Sequence, residues 1–184
     1  MAVTEIRIGG LGGQGVILCG MILGKAASIY GRGHSVMIQS FGPEARGSSC
    51  SAQLMLSDRP IGYPYVRSLD VLVAMSNDAF HKFLPGLKKD GILLYEDELV
   101  HFAPGEKPER AWGIPATRFA EELGRKMVMN IVMVGFFAGV TGMVSRTAAE
   151  EAVRDSVPRG TEPLNLQAFA KGYEHGRQLI EKVG

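Results

Sequence analysis

The sequence contains few cysteines. Only Cys19 and Cys50 occur among its 184 residues, and they do not form a Cys-x-x-Cys pair. Because an iron–sulfur cluster takes four cysteine thiolates, this chain cannot hold one alone. Free thiols are typical of a reducing compartment, and no apolar signal segment follows Met1. We therefore expect a cytoplasmic protein.

Neither sign of charge dominates the chain. Its 20 basic and 19 acidic residues leave a formal charge of +1. The basic residues form no block longer than the pairs Lys88-Lys89 and Arg125-Lys126. A nucleic-acid interface, which needs a basic patch, is not expected.

Long apolar runs are also scarce. The uncharged stretch 127–144 only just reaches the length of a membrane span. It contains Asn130, Thr141 and three glycines, which indicates a buried helix with close neighbours. We expect no membrane insertion.

The sequence lacks a self-sufficient catalytic set. None of its histidines has a nearby Ser or Cys and an acid of the kind that forms a triad. The acidic run Glu96-Asp97-Glu98 has no histidine at ligand spacing, so we expect a solvated turn and no metal site. These absences predict a domain that binds or shapes a site without running chemistry alone. The histidines lie in separate predicted elements: His34, His81, His101 and His175.

Glycine, in contrast, is concentrated near the start of the chain. Residues 9–15 include five glycines in seven positions, between a predicted strand and a predicted helix. Glycine permits positive φ, and the free amides at a helix start attract anions. The spacing Gly-x-Gly-x-x-Gly predicts a cradle for phosphate or carboxylate. Its candidate residues are Gly10, Gly12, Gly13, Gln14 and Gly15.

Two alternatives for this turn remain open. A dinucleotide-binding unit carries an acid about 20 residues further on to hold the ribose. Here the second predicted strand ends in Gln39-Ser40, and no carboxylate occurs before Glu44, which argues against NAD. The glycines are also compatible with close packing of helix on strand, with no ligand.

A second polar loop follows the second predicted strand and reads Ser40-Phe41-Gly42-Pro43-Glu44-Ala45-Arg46-Gly47-Ser48. Chain order places it at the carboxyl edge of the sheet, where open α/β sheets bind ligands. The planar guanidinium of Arg46 suits an anion, and Glu44 would orient Arg46 or bind a polar ligand group. A solvated loop with a surface ion pair is the alternative. Asn77 either points to the same edge or caps a helix. The candidates here are Ser40, Gly42, Glu44, Arg46 and Asn77.

The pattern of apolar residues predicts an α/β fold. Residues 49–57 follow the second strand too closely for a crossover helix, so that strand is expected to be antiparallel. We also expect a short edge strand at 61–65, a turn at 88–91 and a capping box that starts a helix at Thr147. The prediction is one domain, 1–184, with a Rossmann-like open, mostly parallel sheet and helices on both faces. Residues 1–126 would form the sheet core, and residues 127–184 would form helices that pack on it.

Both glycine-containing loops together carry a family resemblance. Gly10-Leu11-Gly12-Gly13-Gln14-Gly15-Val16 and the Gly-Pro-Glu-x-Arg-Gly loop resemble the gamma subunit of the 2-oxoacid:ferredoxin oxidoreductases, most of all the 2-oxoglutarate branch. The resemblance covers nearly the whole chain, including 130–135 and Ala168-Phe169. Ser48 departs from the pattern, because many relatives carry a second glycine there.

The resemblance implies a subunit of a complex that decarboxylates a 2-oxoacid, passes electrons to ferredoxin and forms an acyl-CoA. It implies alpha, beta and delta partner subunits that carry thiamine diphosphate, Mg and [4Fe-4S] clusters, with coenzyme A (CoA) as co-substrate. This chain would hold no cofactor alone. It lacks the cluster cysteines and a Gly-Asp-Gly-led magnesium motif.

Three hypotheses follow. In the leading one, the chain closes the active site of its partners and helps to bind the CoA side. In the second, it is a scaffold whose glycine turn packs on a partner. In the third, it is a free-standing dinucleotide-binding protein.

Overall fold

A computed structural model describes residues 3–42 and 48–183. The strands are β1 (Thr4–Leu11), β2 (His34–Phe41), β3 (Ser49–Ser57), β4 (Leu69–Ala74), β5 (Leu87–Glu96) and β6 (Ala111–Ile114). The helices are α1 (Val16–Ser28), α2 (Asn77–Phe83), α3 (Ala116–Glu122), α4 (Met129–Thr141), α5 (Arg146–Ser156) and α6 (Glu162–Glu181).

The strands form one sheet in the order β2-β3-β1-β4-β5-β6. β1, β4, β5 and β6 pair in parallel, whereas β3 is antiparallel to both of its neighbours, β1 and β2. This confirms the predicted α/β class and the antiparallel strand at Ser49–Ser57. It also places β2 at the edge of the sheet, two positions away from β1.

Helices cover both faces of the sheet, as predicted. One face packs on α1 and on α3 to α6, through side chains such as Ile8, Leu54 and Val73. The other face packs on α2 and on the segment after β5, through side chains such as Phe80 and Val100. The C-terminal helices thus share one core with the sheet.

α4 is the buried helix that the sequence predicts, since all of its residues from Met129 to Gly139 are buried. Within residues 3–42 and 48–183, no helix combines the length and apolar character needed to cross a bilayer.

Three local predictions are wrong. Residues 61–65 form no strand, because Pro60 and Pro64 cannot donate to a ladder. Residues 88–91 are not a separate turn but lie inside β5, which pairs with β4 on both sides of a register shift. The cap of α5 is Ser145, not Thr147. The Ser145 hydroxyl accepts from Ala148 N at 3.1 Å, so the helix begins at Arg146.

Candidate anion-binding site

The glycine turn lies where the connections of the sheet change sides. β1 leads into α1 on one face, and the neighbouring parallel strand β4 leads into α2 on the other. A crevice opens at the carboxyl ends of strands at such a switch point, and ligands of open α/β sheets bind there. Met75, directly after β4, donates its N–H to the Gly9 carbonyl at 2.8 Å and closes the floor of this crevice.

Two residues of the turn have left-handed backbone conformations. Gly13 has φ of +95° and Gly15 has φ of +73°, which other residues adopt only with strain. The turn is closed by a bond from Gln14 N to Leu11 O at 3.1 Å and is tied to the chain before β3 by a bond from Gly12 N to Ser48 O at 2.9 Å. Glycine is therefore required here by backbone geometry.

The Gln14 side chain braces the turn. Its Oε1 accepts from Leu11 N at 2.6 Å, and its Nε2 donates to Met75 O at 2.9 Å. The carboxamide thus joins the end of β1 to the end of β4. Its two polar atoms are engaged in holding the crevice in shape.

Asn130 supports the turn from below and is a residue that sequence reasoning did not select for the site. It is buried in α4, and its Nδ2 donates to Gly15 O at 3.3 Å. Its signal in the sequence was a lone carboxamide within the uncharged, apolar stretch 127–144. A polar side chain that is buried in such a helix needs a partner, and Gly15 provides it.

The N-terminus of α1 is open to an anion. Gly15 at the N-cap contributes no side-chain hydrogen bond, and the first turn carries no acidic residue. The first N–H groups of a helix lack partners within the helix and carry partial positive charge. They border a cleft of about 400 Å³ lined by Leu11, Gly12, Gly13, Gly15, Val16, Ile17, Leu18, Phe41, Ser48 and Cys50.

A second cleft of about 280 Å³ adjoins Gly13 and Gly15 on the side of α4. Its lining includes Arg125, Asn130 and Met127, and the Met127 side chain is 86% exposed. The loop before α4 therefore brings a cation and a flexible apolar side chain to the rim of the glycine turn.

Residues 5–175 match the family described as pyruvate ferredoxin/flavodoxin oxidoreductase. The chain belongs to this family.

The relatives extend over the whole chain. The chain is 50% identical over 182 residues to the 2-oxoglutarate synthase subunit KorC of Methanothermobacter thermautotrophicus, which covers 96% of this chain and 94% of that one. It is 44% identical over 179 residues to KorC of Methanocaldococcus jannaschii, covering 95% of each. The crystal structure of the keto/oxoacid ferredoxin oxidoreductase gamma subunit of Geobacter sulfurreducens matches with a TM-score of 0.86 at 36% identity, covering 96% of this chain and 97% of that one. The resemblance carried by the two loops is confirmed.

In this oxidoreductase-family chain, the glycines that were predicted to bind a ligand differ in what they contact. Gly12, Gly13 and Gly15 line the larger cleft together. Gly10 lies within β1, where an added Cβ would come within 2.9 Å of Val16, so its absence of a side chain serves packing.

The second polar loop is only partly described. Gly42 N donates to Ser49 O at 2.8 Å. Ser40 pairs with Ser51, on the sheet face away from α1, so it points away from the larger cleft. It is the neighbouring Phe41, 66% exposed, that lines that cleft. Glu44 and Arg46 lie outside the described residues.

Asn77 holds a neighbouring segment. Its Oδ1 accepts from His101 N at 3.0 Å. The cap of α2 is Ser76, whose hydroxyl accepts from Ala79 N at 3.2 Å. Asn77 therefore fastens the segment after β5 to the start of α2. No residue of the glycine turn takes part in this contact.

The expectation that Glu96 is solvated is wrong. Its side chain at the end of β5 is buried, and its carboxylate accepts from Thr117 N at 3.1 Å and Glu98 N at 3.0 Å. Burial raises the pKa of Glu96. Glu96 thus fastens the start of α3, and no His/Cys/Asp/Glu group suited to a metal occurs in the part of the chain that the structure describes.

The strand order of the sheet also bears on the hypothesis that the glycine turn binds a dinucleotide. In a dinucleotide-binding unit, β1 and the strand after α1 lie side by side, so that the acid at the end of the second strand reaches the ribose. Here β3 is inserted between β1 and β2. β2 also ends in Gln39, Ser40 and Phe41 without a carboxylate. Both features disfavour NAD at this turn.

Proposed function

We propose that this chain is the gamma subunit of a 2-oxoacid:ferredoxin oxidoreductase whose substrate is 2-oxoglutarate. The observation that carries the proposal is the full-length likeness to two KorC subunits at 50% and 44% identity. The complex decarboxylates the 2-oxoacid oxidatively, transfers the acyl group to CoA and passes the electrons to ferredoxin. It works in the cytoplasm.

The redox and carbanion chemistry belongs to the alpha, beta and delta subunits. The partner subunits would carry thiamine diphosphate and Mg, since this sequence has no Gly-Asp-Gly-led magnesium motif. A [4Fe-4S] cluster does not fit this chain. Cys19 is fully buried and its pKa is raised to about 12 by burial, and Cys50 is buried too. Two buried thiols cannot replace four cluster ligands.

The contribution of this chain is to position CoA and to close the active site. The helix-start amides beyond Gly13 would bind a phosphate of CoA, and Arg46 would bind a second anionic group. Gln14 and Asn130 hold the turn in shape before the ligand arrives. Binding to a preformed site avoids the entropy cost of ordering the loop.

A pair of variants at Phe41 tests the charge preference of this cleft. Phe41 is 66% exposed and lines the cleft, so a replacement leaves the core intact. Phe41→Glu introduces a negative charge, whereas Phe41→Gln introduces the same bulk without charge. In the assembled complex we expect the KM for CoA to rise about fivefold to tenfold in Phe41→Glu relative to Phe41→Gln, as repulsion of roughly 1 kcal/mol predicts. The KM for 2-oxoglutarate should stay the same.

The scaffold alternative has one observation in its favour. Phe41 and Met127 lie on the rim of the turn with 66% and 86% of their surface exposed, as residues of a protein interface would. If both Phe41 variants release partner subunits and the KM for CoA is equal in the two, the turn is a packing surface and CoA binds elsewhere. An Arg46→Ala variant with an unchanged KM for CoA would also count against ligand binding.

A further inference from the structure

The side of β2 and β3 that faces away from α1 is covered only in part. On β3, Ser51 and Met55 are buried, and Gln53 accepts a hydrogen bond from Val66 N at 3.3 Å. On β2, Val36 and Ile38 are half-buried and Ser40 is exposed. α1 packs on the opposite side, where an added Cβ on Gly20 would come within 2.9 Å of Met37. α2 lies over β1, with the Phe83 ring against Gly9, and touches only the near margin of β3. We call this region the outer sheet face. Strand pairing gives its members as Arg7, Val36, Ile38, Ser40, Ser51, Gln53 and Met55.

The outer sheet face ends in an open strand edge. β2 is the last strand of the sheet, so the backbone groups on its outer side have no neighbouring strand among the described residues. Exposed edges are usually protected by lysine, proline or a bulge, and β2 contains neither lysine nor proline. Two exposed tyrosines, Tyr63 and Tyr65, have ring centroids 5.3 Å apart and lie just before Val66, whose N–H donates to Gln53 Oε1 at 3.3 Å.

Two cations share one aromatic ring at this face. The guanidinium carbon of Arg7 lies 4.8 Å from the centre of the Phe83 ring, and Lys82 Nζ lies 5.4 Å from the same centre. Their polar contacts are hydroxyls: Arg7 Nη1 lies 3.5 Å from Ser51 Oγ, and Lys82 Nζ lies 3.3 Å from Ser49 Oγ.

Neither cation has an acidic partner within the described part of the chain. Arg7 is half buried, and its Nε is buried without a hydrogen-bond partner. Burial lowers the pKa of Arg7. Arginines that are removed from water are normally paired with a carboxylate, and residues 3–42 and 48–183 supply none for this arrangement.

The shape of the region indicates which kind of molecule supplies this carboxylate. Arg7 and Lys82 do not line either of the clefts beside Gly13, and the outer sheet face is a strand surface instead of a pocket. A strand surface with an open edge at β2, and with two cations that have no carboxylate partner among the described residues, matches a protein partner of complementary charge.

We propose that the outer sheet face is the surface on which a partner subunit of the complex docks, and that this partner places an aspartate or glutamate carboxylate against Arg7 and Lys82. The proposal rests on the proposed function for the existence of the partner subunits. The chain then has two functional surfaces. The glycine turn at the carboxyl edge of the sheet binds the ligand, and the outer sheet face binds the partner subunit.

Charge reversal in the co-expressed complex tests the proposal. This chain carries an affinity tag, and the co-purified subunits are quantified for Arg7→Glu, Lys82→Glu and Arg110→Glu. Arg110 is the control. Its guanidinium carbon also lies over an aromatic ring, 6.0 Å from the centre of the Trp112 ring, but it is next to β6, at the opposite edge of the sheet from β2. We expect at least a tenfold loss of one partner with Arg7→Glu and with Lys82→Glu, and no loss with Arg110→Glu.

Lys82 is exposed, so Lys82→Glu keeps the test valid if Arg7→Glu fails to fold. Full recovery of the partner with Lys82→Glu would overturn the proposal. So would a normal assembly in which the variants only raise the KM for CoA, or an isolated chain that dimerises through this face. If the wild-type chain itself recovers no partner subunit, the proposed function fails first.

A carbodiimide supplies a direct second readout. It activates a carboxylate, which the Lys82 amine then attacks to form an amide while urea leaves. Applied to the intact complex, followed by proteolysis and mass spectrometry, it should join Lys82 to an aspartate or glutamate of a partner subunit. A Lys82 product confined to this chain would contradict the docking model of the outer sheet face.

Discussion

The carboxamide of Asn130 lies directly beneath Gly15 and leaves no room for a side chain there. Asn130 Nδ2 donates to the Gly15 carbonyl at 3.3 Å, and a Cβ built on Gly15 would overlap that same carboxamide. The buried helix α4 therefore sets the shape of the glycine turn. Two residues that are 115 positions apart in sequence form one unit.

Alanine substitutions at Gly15 and Gly13 should separate backbone strain from this contact. Both glycines have positive φ, but an added Cβ meets nothing within 4 Å at Gly13. We expect Gly13→Ala to cost about 1–2 kcal/mol from strain alone and Gly15→Ala to cost roughly 1–3 kcal/mol more, because it also overpacks. Urea unfolding of the isolated chain measures both. In the double variant Gly15→Ala, Asn130→Ala, part of the extra cost should disappear, and strict additivity would contradict the contact.

The packing of α4 on α6 depends on small residues at facing positions. A Cβ on Gly135 would overlap the Phe169 carbonyl oxygen, and a Cβ on Gly172 would overlap that of Val132. These neighbours are backbone atoms and cannot rotate away, so we expect each alanine variant to lose about 3 kcal/mol or more. Gly24→Ala in α1, whose nearest neighbour would be 3.4 Å away, is the control. It should be neutral or gain up to about 1 kcal/mol from helix propensity. Equal effects at Gly135 and Gly24 in thermal unfolding would refute the close approach of the helices.

Removal of the Gln14 brace should weaken both the fold and the ligand site. In Gln14→Ala, Leu11 N and Met75 O lose their partners, at a cost of about 1–3 kcal/mol. We expect the KM for CoA of the assembled complex to rise as the turn loosens. The control is Gln39→Ala, which removes an exposed carboxamide and should change neither quantity. A Gln14→Ala chain with wild-type stability would show that the brace is dispensable.

The buried carboxyl of Glu96 should make stability depend on pH. Burial raises the pKa of Glu96 in the folded state, so above the ordinary carboxyl pKa the folded chain binds more protons than the unfolded chain. Stability therefore falls as pH rises through this window, which begins at about pH 4. We expect Glu96→Gln to flatten the slope of unfolding free energy against pH in this range. An unchanged slope in Glu96→Gln would contradict the assignment.

The parts of the fold that follow from local pattern were predictable from the sequence. The glycine turn follows from glycine's backbone freedom, and the antiparallel β3 follows from the shortness of the loop before it. α4 follows from its uncharged apolar composition. Each of these depends on neighbours in sequence.

The parts that were not predictable depend on pairing across the fold. Ser40 faces away from the larger cleft because its register with Ser51 places it on the other face. Glu96 is buried because it completes β5 and meets the start of α3. The bracing contacts of Gln14 and Asn130 bridge 61 and 115 positions of sequence. No local pattern encodes such distances.

The most direct test of the whole account is the rate of CoA-dependent ferredoxin reduction with 2-oxoglutarate. It is measured for the isolated chain, for the partner subunits without it, and for the assembled complex. We predict turnover in the assembled complex only, with no activity from this chain alone. Turnover by the isolated chain, or full activity with an unchanged KM for CoA in the complex that lacks it, would contradict the account.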